Sequence, residues 1–449
     1  QKFQALVEEQ REIMVKDEFD EIYTTAGASS MNAGTTEDLT LYFITVPANK
    51  LELWFWMESD RLLNPIMREF YSERDVVHEE RRLRTESTPT GKFDEQFDAM
   101  FWQSHPYSWP VVGWPSDLRT ISKEQADEYY ATYYAPNNIT VAMAGNFDVA
   151  RVKQLAQQYF GRLARGEREP PDVVTLEMEQ LAEKRMEAEC DCQPQIEVRY
   201  HTAPFMHGDS YALDVLAGLM NGRTGRLFKS MVLGQEIASS AFATQQSRKF
   251  AGAFAFGAET KGDATPEQLE AAWFAEVERL RSEPIPADEL QKVKNQIAAD
   301  AFRRLQNPFF LMLQLLFYDG LGDWRYMNEW SDLTLAVTDA DVKRVAETYF
   351  TPANRAVAVY YRKEGAEAEQ WPPALAQLPA DQQQMVKAQL RQVQQVDDPE
   401  RLQGILGQIQ QQKAAMPPQM LPAVEIIEQF IQQRIEELTA AGAAPEGGA

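Results

Sequence analysis

Two stretches, ISKEQADEYYATYYAPNNITVAMAG (residues 121–145) and VTDADVKRVAETYFTPANRAVAVYY (residues 337–361), decide how this chain is built. Each opens on a residue that caps a helix N-terminus, Ser122 or Thr338. Each runs through an amphipathic helix to an aromatic pair, Tyr133-Tyr134 or Tyr349-Phe350, and breaks at Pro136 or Pro352. An asparagine follows, Asn138 or Asn354, and both stretches finish in an alternating segment that reads as a strand. The offset is constant: 338 − 122 = 216. SDL recurs just upstream of each, at 116–118 and 331–333. A chain that repeats cap, aromatics, proline, asparagine and strand in one register is an internal duplication.

Working outward gives the rest of each copy. EFDEIYTTAG (18–27) reads as a short helix ending at Gly27. SSMNAGTTEDLTLYFITVP (29–47) reads as a strand pair turning near Gly34, and residues 48–64 and 92–107 read as helices. In the second copy, 196–203 is a strand, 210–222 a helix ending at Gly222, and 237–260 a strand pair. Helices follow at 265–283, with Pro266 in the first turn, and at 287–306. The expected fold class is α+β: two duplicated domains, each an antiparallel sheet backed by helices, plus a C-terminal helical extension. The expected boundaries are 1–17, the remnant of an upstream helix; 18–165, a first repeat truncated at its N-terminus; 166–185, a linker; 186–365, a second repeat; and 366–449, a glutamine-rich helical extension with a disordered tail. The sequence begins at Gln1, and Phe3, Leu6, Val7, Ile13 and Met14 follow at helical spacing, so residues 1–16 read as the end of a longer helix. In the extension, Asp398 caps a helix with Pro399 at its first position, and these helices are expected to pack on the second repeat, the alternative being a partner.

Composition excludes several functions. With 68 acidic against 44 basic residues the net charge is −24, which disfavours a phosphate backbone as partner. No run approaches the roughly 18 apolar residues of a membrane span. Cys190 and Cys192, with one residue between them, read as structural and too close for an easy mutual disulfide.

FYSERDVVHEERR (70–82) carries the chemistry. Glu73 and Glu80, seven apart, fall on one helix face, with Val76 and Val77 on or beside it, so that face is expected to meet a core. The offset carries Ser72 to Asp288, both readable as helix caps, Glu73 to Glu289, and Glu80 to Gln296. Only the first copy therefore keeps both carboxylates. Left to the residues alone, Glu80 reads as the partner of Arg84 at i+4. His78, two residues before Glu80, points away from it, and His105, His201 and His207 lack ligand spacing.

SERDVVHEERR, with the downstream HPY and GWPSDL and with YYAPNN before AGNFD, resembles the pitrilysin/insulinase family of inverted-zincin peptidases, in its processing-peptidase-like half-length subgroup. The likeness runs in order over roughly residues 18–365. It implies a zinc metalloendopeptidase in which two histidines of a His-x-x-Glu-His helix and a later glutamate hold the metal. Glu80 matches that later glutamate, and Glu73 matches the glutamate supporting the site from behind. Asn32-Ala33 matches the edge strand on which a peptide substrate docks as an added strand. Two departures follow. His-x-x-Glu-His does not occur in this sequence and would lie upstream of Gln1. The arginine and tyrosine that the family often carries in its second domain correspond to Ser230 and Ser239 here. The resemblance further implies peptide substrates, a homodimer or a heterodimer with a related subunit, and the cell envelope or periplasm of a bacterium. The alternative is a non-catalytic member serving as scaffold or partner subunit.

Overall fold

The computed structural model describes residues 17–442 apart from 68, 365–370, 395, 397, 414–415 and 417–419. The expected helix over 1–16 and the tail from 443 lie outside the described residues. Two compact units form. One comprises the described residues up to Met178 with Arg248–Phe250 and Ala298–Leu333; the other comprises Glu179–Ser247, Ala251–Ile297 and the described residues from Thr334 onward.

The first unit carries helix α1 (Glu18–Thr25), strands β1 (Ser29–Thr35) and β2 (Thr40–Thr45), and helices α2 (Leu51–Leu63), α3 (Phe70–Arg81), α4 (Gly91–Phe101), α5 (Pro115–Thr120), α6 (Lys123–Tyr133) and α7 (Val149–Tyr159). Gly27, with φ +85°, ends α1 as its sequence position requires. The β1–β2 hairpin is antiparallel and pairs Thr35 with Thr40, so its turn lies at Thr36–Leu39 and not at Gly34, which is a ladder residue opposite Leu41. Helix α2 buries Phe55 and Glu58, and Glu58 accepts a hydrogen bond from Tyr23 (2.8 Å) and one from Arg61 (2.6 Å).

The second unit holds β3 (Lys184–Cys190), β4 (Gln195–Thr202), α8 (Gly208–Met220), β5 (Ala238–Ser247), β6 (Gly252–Thr260), α9 (Pro266–Ser282), and the first part of α10 (Ala287–Leu305). Helix α11 (Pro308–Leu321) belongs to the first unit, and α12 (Tyr326–Ala336) spans the boundary. Then come α13 (Asp339–Tyr349), β7 (Arg355–Arg362), and the extension α14 (Ala380–Gln394), α15 (Pro399–Lys413) and α16 (Leu421–Gly442). The sheet order is β3-β7-β4-β6-β5. All neighbours are antiparallel except β3 and β7, which run parallel. Phe254, Phe256 and Ala258 alternate toward one face, where Phe256 stacks on Trp273 of α9 (4.5 Å between centroids). Trp273 is fully buried and donates to the Tyr200 hydroxyl (3.2 Å). The extension has a core of its own, built on Val386, Leu390, Leu402, Ile427 and Ile431.

The duplication is visible in local detail. Ser122 and Thr338 both form reciprocal capping boxes, with Gln125 and Asp341. Asn138 and Asn354 each donate a side-chain hydrogen bond to the carbonyl five residues back, Tyr133 and Tyr349. Glu80 and Gln296 occupy the matching helices α3 and α10.

Four expectations need correction. Ser72 and Asp288 are not caps: α3 starts at Phe70 and α10 at Ala287, so both residues lie inside their helices. The α3 face does not meet a core at Val76, which is 57% exposed; the helix is held by Arg81, the buried residue at its end. Residues 139–145 pair with no strand among the described residues, although the matching β7 is hydrogen-bonded on both sides. Cys190 and Cys192 are disulfide-bonded to each other, because the chain reverses after β3 and brings their Cα atoms to 5.2 Å, within ordinary bridging range.

The second-unit core makes a direct expectation. Trp273→Ala removes the ring on which Phe256 stacks and is expected to cost about 3–5 kcal/mol, whereas Tyr200→Phe, which loses only the hydroxyl that accepts from Trp273, is expected to cost about 1 kcal/mol. Urea denaturation followed by circular dichroism measures both; equal losses would mean the stacked ring is not what holds the sheet to α9.

Candidate functional site

Helix α3 is positioned by one charge. Arg81 is 4% exposed, and its guanidinium donates to both oxygens of Glu95 on α4 (2.6 and 2.8 Å) and to the Gly113 carbonyl (2.9 Å). A bidentate pair of this kind fixes direction as well as distance, so α3 and α4 are locked at the C-terminal end of α3. The preceding residue, Glu80, is half-exposed and pairs with Arg84 (2.8 Å), as the residues alone suggested. Glu73 is exposed, its carboxylate has no hydrogen bond or ion pair among the described residues, and it lies on the wall of a cleft. Its counterpart Glu289 is occupied, accepting from Arg226 at 3.1 and 2.9 Å. The two copies therefore treat the same carboxylate differently.

The cleft belongs to the first unit and encloses about 3520 Å³. Its walls are unusually apolar for a surface. Tyr42, Trp56, Tyr129 and Val141 line it and are each about half exposed. Both β2 and residues 139–145 face it. Asn32 and Ala33 sit in β1, all seven residues of which are exposed, and the Ala33 amide is held by the Asn32 side chain (2.8 Å). A strand adding there would have to displace that bond.

The HPY turn forms the cleft's other corner. Tyr107 donates to Asp38 (2.7 Å) and accepts from the Phe250 amide (3.1 Å), and Asp38 also accepts from the Lys249 amide (3.1 Å). His105 is buried; its Nδ1 accepts from the Tyr107 amide (3.1 Å), and its own amide, with those of Gln103 and Ser104, donates to Glu177. Burial lowers the His105 pKa against the pull of Asp38 and Glu177. His105 is thus a structural residue, in line with its sequence setting. Sequence reasoning missed Arg81 and Asp38, since neither has a partner at helical or strand spacing.

The described residues do not by themselves fit a zinc ion. Among them no three His, Cys, Asp or Glu side chains come together as a metal site, and a protein zinc site takes at least three protein ligands.

This duplicated α+β chain resembles the M16 peptidases, the pitrilysin/insulinase family. Residues 120–297 match the family described as "Peptidase M16 inactive domain". The sequence is 28% identical over 339 residues to the zinc protease PqqE of Helicobacter pylori, covering 74% of this chain and 76% of that one. The crystal structure of a protease from Helicobacter pylori is similar at a TM-score of 0.72 and 26% identity, covering 77% of this chain and 84% of that one. The M16 inactive domain from Pseudomonas fluorescens shares the fold at a TM-score of 0.67 and 14% identity, over 78% and 85%. The relative PqqE is thus a zinc protease, and residues 120–297 are similar to a family described as an inactive domain.

The His105 environment carries a pH dependence. Its folded pKa lies below the unfolded value of about 6.5, so its contribution to stability is complete above that pH and is lost as pH falls toward the folded value. Melting temperature is expected to decline below about pH 6.5 in the unaltered chain and to decline less steeply in His105→Gln. Identical pH profiles for the two would remove His105 from the account.

Proposed function

We propose that this chain is the larger part of a zinc-dependent metalloendopeptidase that hydrolyses peptides bound as an added β-strand, with the His-x-x-Glu-His segment lying upstream of Gln1. One observation carries this reading: among the described residues the first unit forms only a two-stranded hairpin, whereas the second closes a five-stranded sheet. In the second unit β7 lies between β3 and β4, and β4 bridges it to β6. In the first, β2 and residues 139–145 border an apolar cleft and share no strand among the described residues. Strand-forming residues supplied there would face Glu73 on the cleft wall.

In this reading Glu80 becomes the one metal ligand within the chain, exchanging its Arg84 partner for the ion, and Glu73 supports the site from behind. Bound zinc would supply an activated water. Asn32 and Ala33 offer the backbone on which an extended peptide adds, and a backbone ladder reads few side chains. Pairing with a second copy or a related subunit, and a bacterial cell envelope or periplasm, complete the proposal. No described helix is long and apolar enough to cross a membrane. The Glu80–Arg84 pair and the match to an inactive domain favour a second reading, a non-catalytic scaffold or partner subunit.

Metal analysis separates the two. Residues 1–449 alone are expected to carry no stoichiometric zinc and to cleave no peptide. Extended by the residues that naturally precede Gln1, the chain is expected to gain both, and Glu80→Gln is then expected to lose the zinc with little change in melting, since Gln296 stands at the matching helix position. Tight zinc in the 1–449 chain would show that the ligands are misassigned; an extended chain without zinc would leave the scaffold reading.

A further inference from the structure

An edge strand exposes a row of unpaired amides and carbonyls that recruits other strands. The second-unit sheet has two edges, β3 and β5. Strand β3 carries Lys184, Arg185, Glu187 and Glu189, charges of the kind that discourage pairing. Strand β5, ASSAFATQQS, has little charge and is the longest strand in the sheet, yet it is closed in two other ways.

The first is Asn221, the residue that ends α8. Its amide forks onto the backbone of Ala243. The Ala243 N–H donates to Oδ1 (2.9 Å), and Nδ2 donates to the Ala243 carbonyl (2.5 Å). In an antiparallel ladder a residue directs both backbone groups to the same side, so these are the two groups that point away from β6. One side chain thereby fills the pairing site in the middle of the edge.

The second is the extension. Helix α14 packs against β5. From it Lys387 reaches the carboxylate of Glu259 on β6, and both side chains are buried. Glu259 alternates with Phe256 and Ala258, so it lies on the face opposite Trp273. Ser239 donates to the same carboxylate (3.4 Å), at the point where β5 bulges between Ala238 and Ser240. A buried pair of charges is costly to separate because either one alone is left desolvated. The glutamine-rich helices that the sequence left without a role are therefore fastened to the sheet beside its bulged edge.

We propose that Asn221 and α14 together close the second-unit sheet to strand addition, so that an extended peptide adds at β1 and not at β5. The closure stands on the second unit alone; the choice of β1 rests on the reading given under Proposed function. In the first unit no side chain from another element is bonded to the β1 backbone among the described residues.

Hydrogen exchange and photo-crosslinking test this on the whole chain. The probe is a short alternating Thr/Val peptide flanked by lysines and carrying a central benzophenone. In the unaltered chain, amides in the segment around Ala243 are expected to be protected, and the probe to label residues 29–35 and not 238–247. Asn221→Ala is expected to speed exchange around Ala243 roughly tenfold or more. Combining it with Lys387→Met and Glu259→Gln, which remove the ion pair without stranding either charge, is expected to bring label onto 238–247. Asn221→Ala alone serves if the triple variant does not fold. Free exchange at Ala243 or labelling of β5 in the unaltered chain would overturn the proposal, as would unchanged exchange at Ala243 in Asn221→Ala, or a triple variant whose β5 exchanges fast and still takes no label. Loss of label at β1 alone, with β5 behaving as stated, would overturn the choice of β1 and leave the closure standing.

Discussion

Every strand must find partners for its backbone, and this requirement organises both halves of the chain. In the second unit it is met across the interior of the sheet: β7 is flanked by β3 and β4, and β4 carries the ladder on to β6 and β5. In the first unit the same local sequence yields a hairpin and an extended segment that meet no common strand among the described residues. The apolar side chains that would lie beneath such a strand, Tyr42, Tyr129 and Val141 among them, are left facing a cleft. The structural asymmetry between the two copies begins there.

What could be read from the sequence was local. N-caps at Ser122 and Thr338, the proline after each aromatic pair, Gly27 after α1 and Pro266 at the start of α9 all depend on residues a few positions apart, and all are where the sequence placed them. The alternation in ITVAMAG was equally legible and equally local. It says what a strand prefers but not whether a neighbour is present, so it could not distinguish residues 139–145 from β7. For the same reason Val76 and Val77 suggested a buried face, while the helix is instead held through Arg81 and Glu95 on α4. The link between Lys387 and Glu259 spans 128 positions and leaves no periodic trace.

The candidate site divides along the same line. The positions of Glu73 and Glu80 on one helix followed from their spacing, and Glu80 meets Arg84 as that spacing allows. The roles suggested for them came from the family resemblance. What the sequence could not supply is the contrast between Glu73, whose carboxylate has no partner among the described residues, and Glu289, bound by Arg226. That contrast arises because the second unit has an arginine folded beneath its carboxylate, a matter of tertiary packing. The difference between the copies lies less in which acids are kept than in which ones the fold has already used.

The buried pair of Lys387 and Glu259 also constrains how this protein can drift over generations. Replacing either residue alone strands its partner's charge inside the sheet, a loss of several kcal/mol, whereas replacing both with apolar side chains of similar size is close to neutral. The two positions can therefore change together but not one after the other, unless an intermediate tolerates a neutral polar residue such as glutamine at 259. Shortening the chain from its C-terminus meets the same barrier once it reaches α14. A tail that looks dispensable by composition is thus inherited as a unit with a residue in the middle of the second sheet.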